Sequence, residues 1–408
     1  MRRMGHGVTG AAFLAVGCAL ADARNPGFTV GAPEFTAPPA SGEPNLYATG
    51  DGRVVMTWFE RTGDQRHALL VAVRTGGAWS APRTVVEGDL FFVNWADFPS
   101  VLELPDGTWV THWLQKAAPS TYAYHVKVAM STDQGATWSA PVTPHRDTSP
   151  TEHGFVSMVP WGNGTGLIWL DGRAMAAGGT PTQGDHGMPR GAMTVRFTSI
   201  GVDGSLGEDV LLDDRTCECC QTALARTTNG LVAAYRDRSE AEIRNIAVTR
   251  LVSGQWTPPV PVADDQWHYP GCPVNGPSLS SAGDTVAIAW YTAPEQQPRA
   301  YVAFSPDAGK TWSAPIRVDD GKPLGRVDIE LLADGSALVS WLEATSAAEV
   351  RARRVRWDGT VERSWLVTAT SESRASGFPR MARVGNDVVF AWTEIGDAGG
   401  VRVATAKP

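Results

Sequence analysis

Seven times along the chain a short apolar run ends in an aromatic residue, and an acidic residue usually follows two positions later. The runs close as Val54-Val55-Met56-Thr57-Trp58, Trp109-Val110-Thr111-His112-Trp113, Gly166-Leu167-Ile168-Trp169, Leu231-Val232-Ala233-Ala234-Tyr235, Val286-Ala287-Ile288-Ala289-Trp290, Ala337-Leu338-Val339-Ser340-Trp341 and Val388-Val389-Phe390-Ala391-Trp392. Runs this short, rich in β-branched and aromatic residues and bounded by Gly-containing turns, predict strands. The spacings between the aromatics are 55, 56, 66, 55, 51 and 51. Such a period, with about four strands per unit, predicts an all-β, seven-bladed β-propeller, with a six-bladed ring as the runner-up. In such a ring each small sheet buries both faces against its neighbours, and an aromatic at a fixed place fills the wedge between blades.

The second half of each repeat reads as a third strand, a tight turn and an outer strand, as in His125-Val126-Lys127-Val128-Ala129 and then Trp138-Ser139-Ala140-Pro141-Val142. The seventh copy ends at Pro408 without an outer strand. Residues Phe28 to Phe35 resemble the missing piece, since Val30-Gly31-Ala32-Pro33 echoes Trp79-Ser80-Ala81-Pro82. The N-terminal strand is therefore expected to close the last blade and to remove two open sheet edges at once. Residues 27–408 read as a single propeller domain.

Composition narrows the functional classes. The net charge of −8 gives no general attraction to nucleic acid or anionic lipid. Arg2 and Arg3 precede an apolar run from Val8 to Ala21, which is signal-peptide length and short for a bilayer span. Residues 1–21 are read as a signal peptide. Ala19-Leu20-Ala21 would suit ordinary signal peptidase, whereas Leu14-Ala15-Val16-Gly17-Cys18 resembles a lipobox with Cys18 as the lipidated first residue. Either way the expectation is export, to the periplasm or to the cell envelope as a lipoprotein, with membrane contact only through a lipid anchor. That compartment permits disulfides.

Two turns read Ser131-Thr132-Asp133-Gln134-Gly135-Ala136-Thr137-Trp138 and Ser305-Pro306-Asp307-Ala308-Gly309-Lys310-Thr311-Trp312. The pattern S-x-D-x-G-x-T-W resembles the Asp-box, or BNR repeat, of sialidase-like β-propellers, and the resemblance covers almost all of the chain after the leader. Asp133 and Asp307 are expected to accept backbone N–H bonds within their turns, and the glycines to take positive φ. The resemblance implies that these boxes lie on the face opposite the functional one. Sialidases have six blades, so seven repeats mark a relative and not a plain match.

On the other face lie the loops after each repeat aromatic and the starts of the first strands. The starts contribute Glu43, Asp97, His153, Cys219, Cys220, Asn275, Arg326 and Arg380. The resemblance implies an arginine clamp on a carboxylate, a Tyr–Glu nucleophile and an acid/base Asp, as an exo-sialidase-type glycoside hydrolase would need. The family's N-terminal motif arginine is absent, because Gly42-Glu43-Pro44-Asn45 and Asp97-Phe98-Pro99 carry none. Arg173, Arg238, Arg244, Arg326 and Arg380 remain as ligand-binding candidates, with solvated or salt-bridged loop arginines as the plain alternative. Tyr235 occupies the blade-filling slot and is expected in the core.

Sulfur is the unusual feature. Cys217-Glu218-Cys219-Cys220 opens the fourth repeat, and Cys272 in Pro270-Gly271-Cys272-Pro273 opens the fifth. Equivalent places in adjacent repeats should bring them together. Disulfides are one reading. Extended residues three apart sit roughly 10 Å apart, beyond the ~7 Å that a disulfide spans, so a bond within the trio demands a tight turn. One bridge to Cys272 with two thiols left over is easier to build. A soft-metal site for copper or zinc is the other reading, with His268 and His153 as further candidate ligands. Met175, His186, Met188 and Met193 add soft donors in the loop after Trp169, unless that Gly-rich stretch is a disordered insertion. The functional expectation is a cell-envelope protein that binds a glycan, a peptide or a metal at its rim.

Overall fold

The computed structural model describes residues 28–176 and 191–408. The leader, Cys18, His186 and Met188 lie outside the described residues. Seven antiparallel sheets follow one another along the chain. Blade one is built on Ser41–Ala48, Val54–Arg61 and His67–Thr75, and blade two on Ser100–Glu103, Trp109–Lys116 and Tyr124–Ser131. Blade three runs from His153–Trp161 through Gly164–Asp171 and Met193–Gly201 to Val210–Thr216. Blades four, five, six and seven have Ala223–Thr227, Ser278–Ala282, Pro323–Leu331 and Arg380–Val384 as their inner strands. Each inner strand touches the next, and Arg380–Val384 against Ser41–Ala48 closes the ring. Together with the two Asp-box turns, this makes the chain a seven-bladed, sialidase-like β-propeller.

Closure follows the expected route in broken form. Thr29 pairs with Lys407 and Val30 with Ala406, then Phe35 with Val403 and Thr36 with Arg402. The two pieces flank Pro33, which has no N–H for a ladder. The same chemistry thins other outer strands. In blade two Ser139-Ala140-Pro141 leaves only the bridge Val128↔Val142 where a fourth strand was expected.

The core is a ring of seams, one between each pair of neighbouring blades. Leu338, Val350, Phe390 and Trp392 fill the seam of blades six and seven, and Trp58, Met56, Val389 and Val403 that of blades seven and one. The seven repeat aromatics are all buried, none more than 6% exposed. Replacing one such ring by alanine would cost about 3–5 kcal/mol. The acid two positions after the aromatic has a structural role in two blades. The indole N–H of Trp169 donates to Asp171 (2.8 Å), and that of Trp341 to Glu343 (2.6 Å). A buried indole N–H without such a partner is unfavourable.

The Asp-boxes are local hydrogen-bond cages. Asp133 accepts from the Thr137 N–H (2.8 Å) and from the hydroxyls of Thr137 and Ser131. Asp307 does the same with Thr311 and Ser305. Gly135 must be glycine for two reasons: its φ is +82°, and a Cβ there would meet the Trp109 ring at 2.9 Å. In blade five Cys272 precedes Ser278–Ala282 and Asp307 follows Arg299–Ser305. Both strands run antiparallel to Thr285–Thr292. They are therefore parallel to each other, so the box and the cysteine lie at opposite ends of the blade. No helix among the described residues is long and apolar enough to cross a membrane.

Candidate functional site

At the cysteine end the first strands enter with a repeated irregularity. Register slips after Gly42, Gly154 and Gly325, and Glu43, Phe155 and Arg326 take φ of 54°, 52° and 53°. These left-handed residues gather around the mouth of the central channel. Trp95, Phe98 and Phe378 plug it, with ring centroids 5.8 and 6.0 Å apart. The Arg326 guanidinium lies 5.0 Å over Trp95 and that of Arg380 4.9 Å over Phe98. Deeper along the axis is a cavity of about 230 Å³ lined by Asn45, Ser100, Ser157, Ala223, Ser278 and Arg380.

The five candidate arginines do not assemble one clamp. Arg173 grips Asp171 (2.6 Å) and Asp209 (3.0 Å) in blade three. Arg238 and Arg244 share Glu242 in blade four, at 2.8 and 2.7 Å. Arg326 donates to Ser376 Oγ (2.6 Å) and the Gly377 carbonyl (2.9 Å). Arg380 pairs with Asp328 (3.2 Å). Tyr235 is core, its hydroxyl donating to Asp213 (2.8 Å).

The sulfurs do gather. Cys217–Cys220 links the outer strand of blade three to the inner strand of blade four, and its path is pinned where the Cys217 N–H donates to the Arg236 carbonyl (3.0 Å). Cys219 and Cys272 form a disulfide, with Cα atoms 6.0 Å apart. Beneath it the Cys217 Sγ lies 2.7 Å from that of Cys220 and 3.9 Å from that of Cys219. Cys217 and Cys220 are buried, whereas Cys272 is exposed. A dithiol thus sits under a bridge that faces solvent.

Buried cations surround this pair. Arg236 is 1% exposed and donates to three carbonyls, those of Asn275 (2.8 Å), Arg244 (2.6 Å) and Tyr291 (2.5 Å). It also stacks 4.9 Å over Trp267. Carbonyl partners leave its charge in place, and Arg244 adds a second. Burial pushes the Cys220 thiol up, but the Cys217 hydrogen bond and these charges outweigh it and bring Cys220 below the ordinary thiol value. Burial holds Cys217 well above that value. The two thiols are thus pushed in opposite directions, Cys220 toward the thiolate and Cys217 away from it. Sequence reasoning missed Arg236, because the residues after each repeat aromatic were read as loops. Arg236 is the last residue of the strand Gly230–Arg236, and one place after the blade aromatic was the available signal.

The expected extra ligands of the sulfurs lie elsewhere. His268 is exposed, and its backbone bridges to Ile243. His153 faces blade two, where its Nδ1 lies 3.3 Å from that of His125. Met175 and Met193 pack in the core seam of blades three and four, where apolar contact and not ligation accounts for them.

A cleft of about 620 Å³ opens between blades seven and one, lined among others by Glu43, Arg61, His67, Trp95 and Glu394. Burial pushes the Glu43 carboxyl up to about 7. An acid with that value can give or take a proton near neutrality.

No protein-family model matches the chain, and no curated protein matches it. Solved structures do resemble it. A protein of unknown function from Dyadobacter fermentans is 16% identical over 94% of this chain and 99% of its own, with a TM-score of 0.51. An α-L-arabinofuranosidase from Fusarium graminearum, in complex with an iminosugar inhibitor, is 14% identical over 93% of this chain and 96% of its own, with a TM-score of 0.53. An α-L-arabinanase from Penicillium chrysogenum, complexed with arabinobiose, is 13% identical over 93% and 98%, with a TM-score of 0.50. At these identities the likeness is one of fold.

Proposed function

We propose that this protein is an exported, lipid-anchored binding protein of the cell envelope, that its working site is the sulfur cluster of blades four and five, and that the ligand is a soft metal ion, copper(I). One observation carries the reading. Cys217 and Cys220 hold two buried sulfurs 2.7 Å apart, closer than unbonded sulfurs settle, so they are placed to bond to each other or, opening to about 4 Å, to grip one soft ion between them. With Cys219 committed to Cys272, the pair offers two thiolates. Copper(I) accepts so low a coordination, whereas structural zinc takes four ligands. Two thiolates and one Cu⁺ leave a single negative charge, which Arg236, whose partners are all carbonyls, offsets.

The test is a Cu(I) titration against a chromophoric chelator, with thiols counted before and after mild reduction. One Cu(I) per chain is expected, lost in Cys217→Ser and Cys220→Ser and kept in Cys272→Ser. Two disulfides and no copper uptake after mild reduction would overturn it. The anchor rests on Cys18 at the end of a short apolar run, and Cys18→Ser should release the protein from membranes of its host. A mature N-terminus at Asp22 would point to ordinary secretion instead.

A second reading has the Glu43 cleft behind it. Its buried acid and its volume suit a sugar ring, and two of the similar folds are an arabinofuranosidase seen with an iminosugar inhibitor and an arabinanase seen with arabinobiose. Under this reading the chain binds or hydrolyses a glycoside, and a screen of aryl glycosides, a sialoside included, should find turnover that Glu43→Gln abolishes.

A further inference from the structure

Three of the histidines meet at the rim between blades two and three, in the blades that precede the sulfur cluster. His125 is the second residue of the strand Tyr124–Ser131, His153 the first of His153–Trp161, and His145 lies in the connection between those blades. One ring nitrogen from each lies within 4.8 Å of the others. The His145 and His153 rings stack with centroids 3.9 Å apart and planes 7° from parallel. The Nδ1 atoms of His125 and His153 face each other at 3.3 Å.

Asp147 sets the state of two of these rings. Its backbone carbonyl accepts from His145 Nδ1 (2.8 Å), and its carboxylate accepts from His153 Nε2 (3.0 Å). Those bonds place the ring protons and leave His145 Nε2 and His153 Nδ1 for other work. His145 is 4% exposed, and its Nε2 has no hydrogen-bond partner. An orphaned buried acceptor is unfavourable by about 1–3 kcal/mol, so a fold that keeps one has a use for the lone pair or bears the loss. An imidazole whose other nitrogen donates to a carbonyl or carboxylate is the usual arrangement of a metal-bound histidine. Behind the cluster Asp171 lies 3.7 Å from His153 Nε2, itself held by Trp169 and Arg173. His153 Nδ1 also lies 3.2 and 3.3 Å from the carbonyls of Tyr124 and Thr151.

We propose that His125, His145 and His153 form a metal site for a divalent ion of intermediate softness, Zn²⁺ or Cu²⁺, oriented by Asp147 and open on its solvent side. Imidazole donors select such ions, as thiolates select softer ones. Metal–nitrogen bonds of about 2.0–2.1 Å put ligating nitrogens no more than about 4 Å apart, close to the spacing found here. Three protein donors leave a fourth position, and half-buried His125 lies on the side from which water or a ligand would enter. This site is independent of the copper(I) reading, because it uses no sulfur and sits in other blades.

Cobalt(II) is a probe that tells the two sites apart, because thiolate ligation adds an intense near-ultraviolet charge-transfer band and imidazole ligation does not. Titrated into the full chain, Co²⁺ should bind one ion per chain with visible d–d bands alone, and Zn²⁺ added afterwards should displace it and erase those bands. His145→Ala and His125→Ala should each weaken binding by about tenfold or more. Half-buried His125 is the variant best placed to keep the fold, and an unchanged melting temperature without metal verifies that it does. Cys217→Ser should leave the binding unchanged. Equal affinity in His125→Ala and wild type, no binding to wild type, or a charge-transfer band lost in Cys217→Ser would overturn the proposal.

Discussion

The Gln221 side chain of blade four donates to the Ala96 carbonyl of blade two at 2.7 Å, across the channel mouth. Its Oε1 accepts from the Gly276 N–H of blade five (2.9 Å), so one amide ties three blades together. Gln221→Ala would strand a buried carbonyl and a buried N–H. A loss of about 1–3 kcal/mol in urea unfolding is expected. An unchanged midpoint would show that the blades hold their register without it.

Asp133 and Asp307 are scaffolding. Asp133→Ala or Asp307→Ala should lower the melting temperature by a few degrees, through the turn N–H groups that each now satisfies. Metal binding at the opposite end should be unaffected. Normal melting with lost binding would reverse the assignment.

The Asp97 carboxyl titrates against the usual trend. Burial pushes it up to about 7, although it accepts the Phe155 N–H at 2.7 Å. From about pH 4 to about pH 7 the folded chain holds a proton there that the unfolded chain has lost, so this group favours folding most at the acid end. That contribution falls as pH rises through 7 and is flat beyond. Asp97→Asn keeps the acceptor and removes the titration. Relative to that variant, the wild type should lose about 2–4 kcal/mol between about pH 5 and pH 8. Parallel stability profiles for the two proteins would count against this.

Phe28 anchors the closing strand, stacked 4.8 Å from Trp365 and edge-on to Phe390 at 6.3 Å. Phe28→Ala should cost about 3 kcal/mol. Deleting residues 28–36 should go further and give a chain that aggregates, because it bares the edge of Gly400–Lys407. Light scattering after refolding distinguishes the two.

The ring was legible because its signals are periodic. The aromatics at Trp58, Trp113 and onward repeat with the blade, and the box grammar around Asp133 and Asp307 is local in sequence. The sulfur cluster was half legible. Equivalent repeat positions predicted that the four sulfurs would meet and that one bridge to Cys272 would leave two thiols over, but not which cysteine would form it, because that depends on the bend of residues 217–220 pinned by the Arg236 carbonyl. The histidine cluster was not legible at all. His125, His145 and His153 come from a strand, a loop and the next blade, and no fixed spacing links them.

Thr29 and Lys407 are paired neighbours with nearly the whole chain between them. Ordering so long a loop is entropically the least favourable step in assembly, so this pairing forms late. A topology dominated by such distant contacts also belongs to the slow class of folders. The first strand to emerge during synthesis therefore waits for the last, and until they meet every chain is an open arc with two adhesive ends. Two such arcs side by side can satisfy each other as well as themselves. The wait is a kinetic hazard, and it grows with the concentration of unfinished chains.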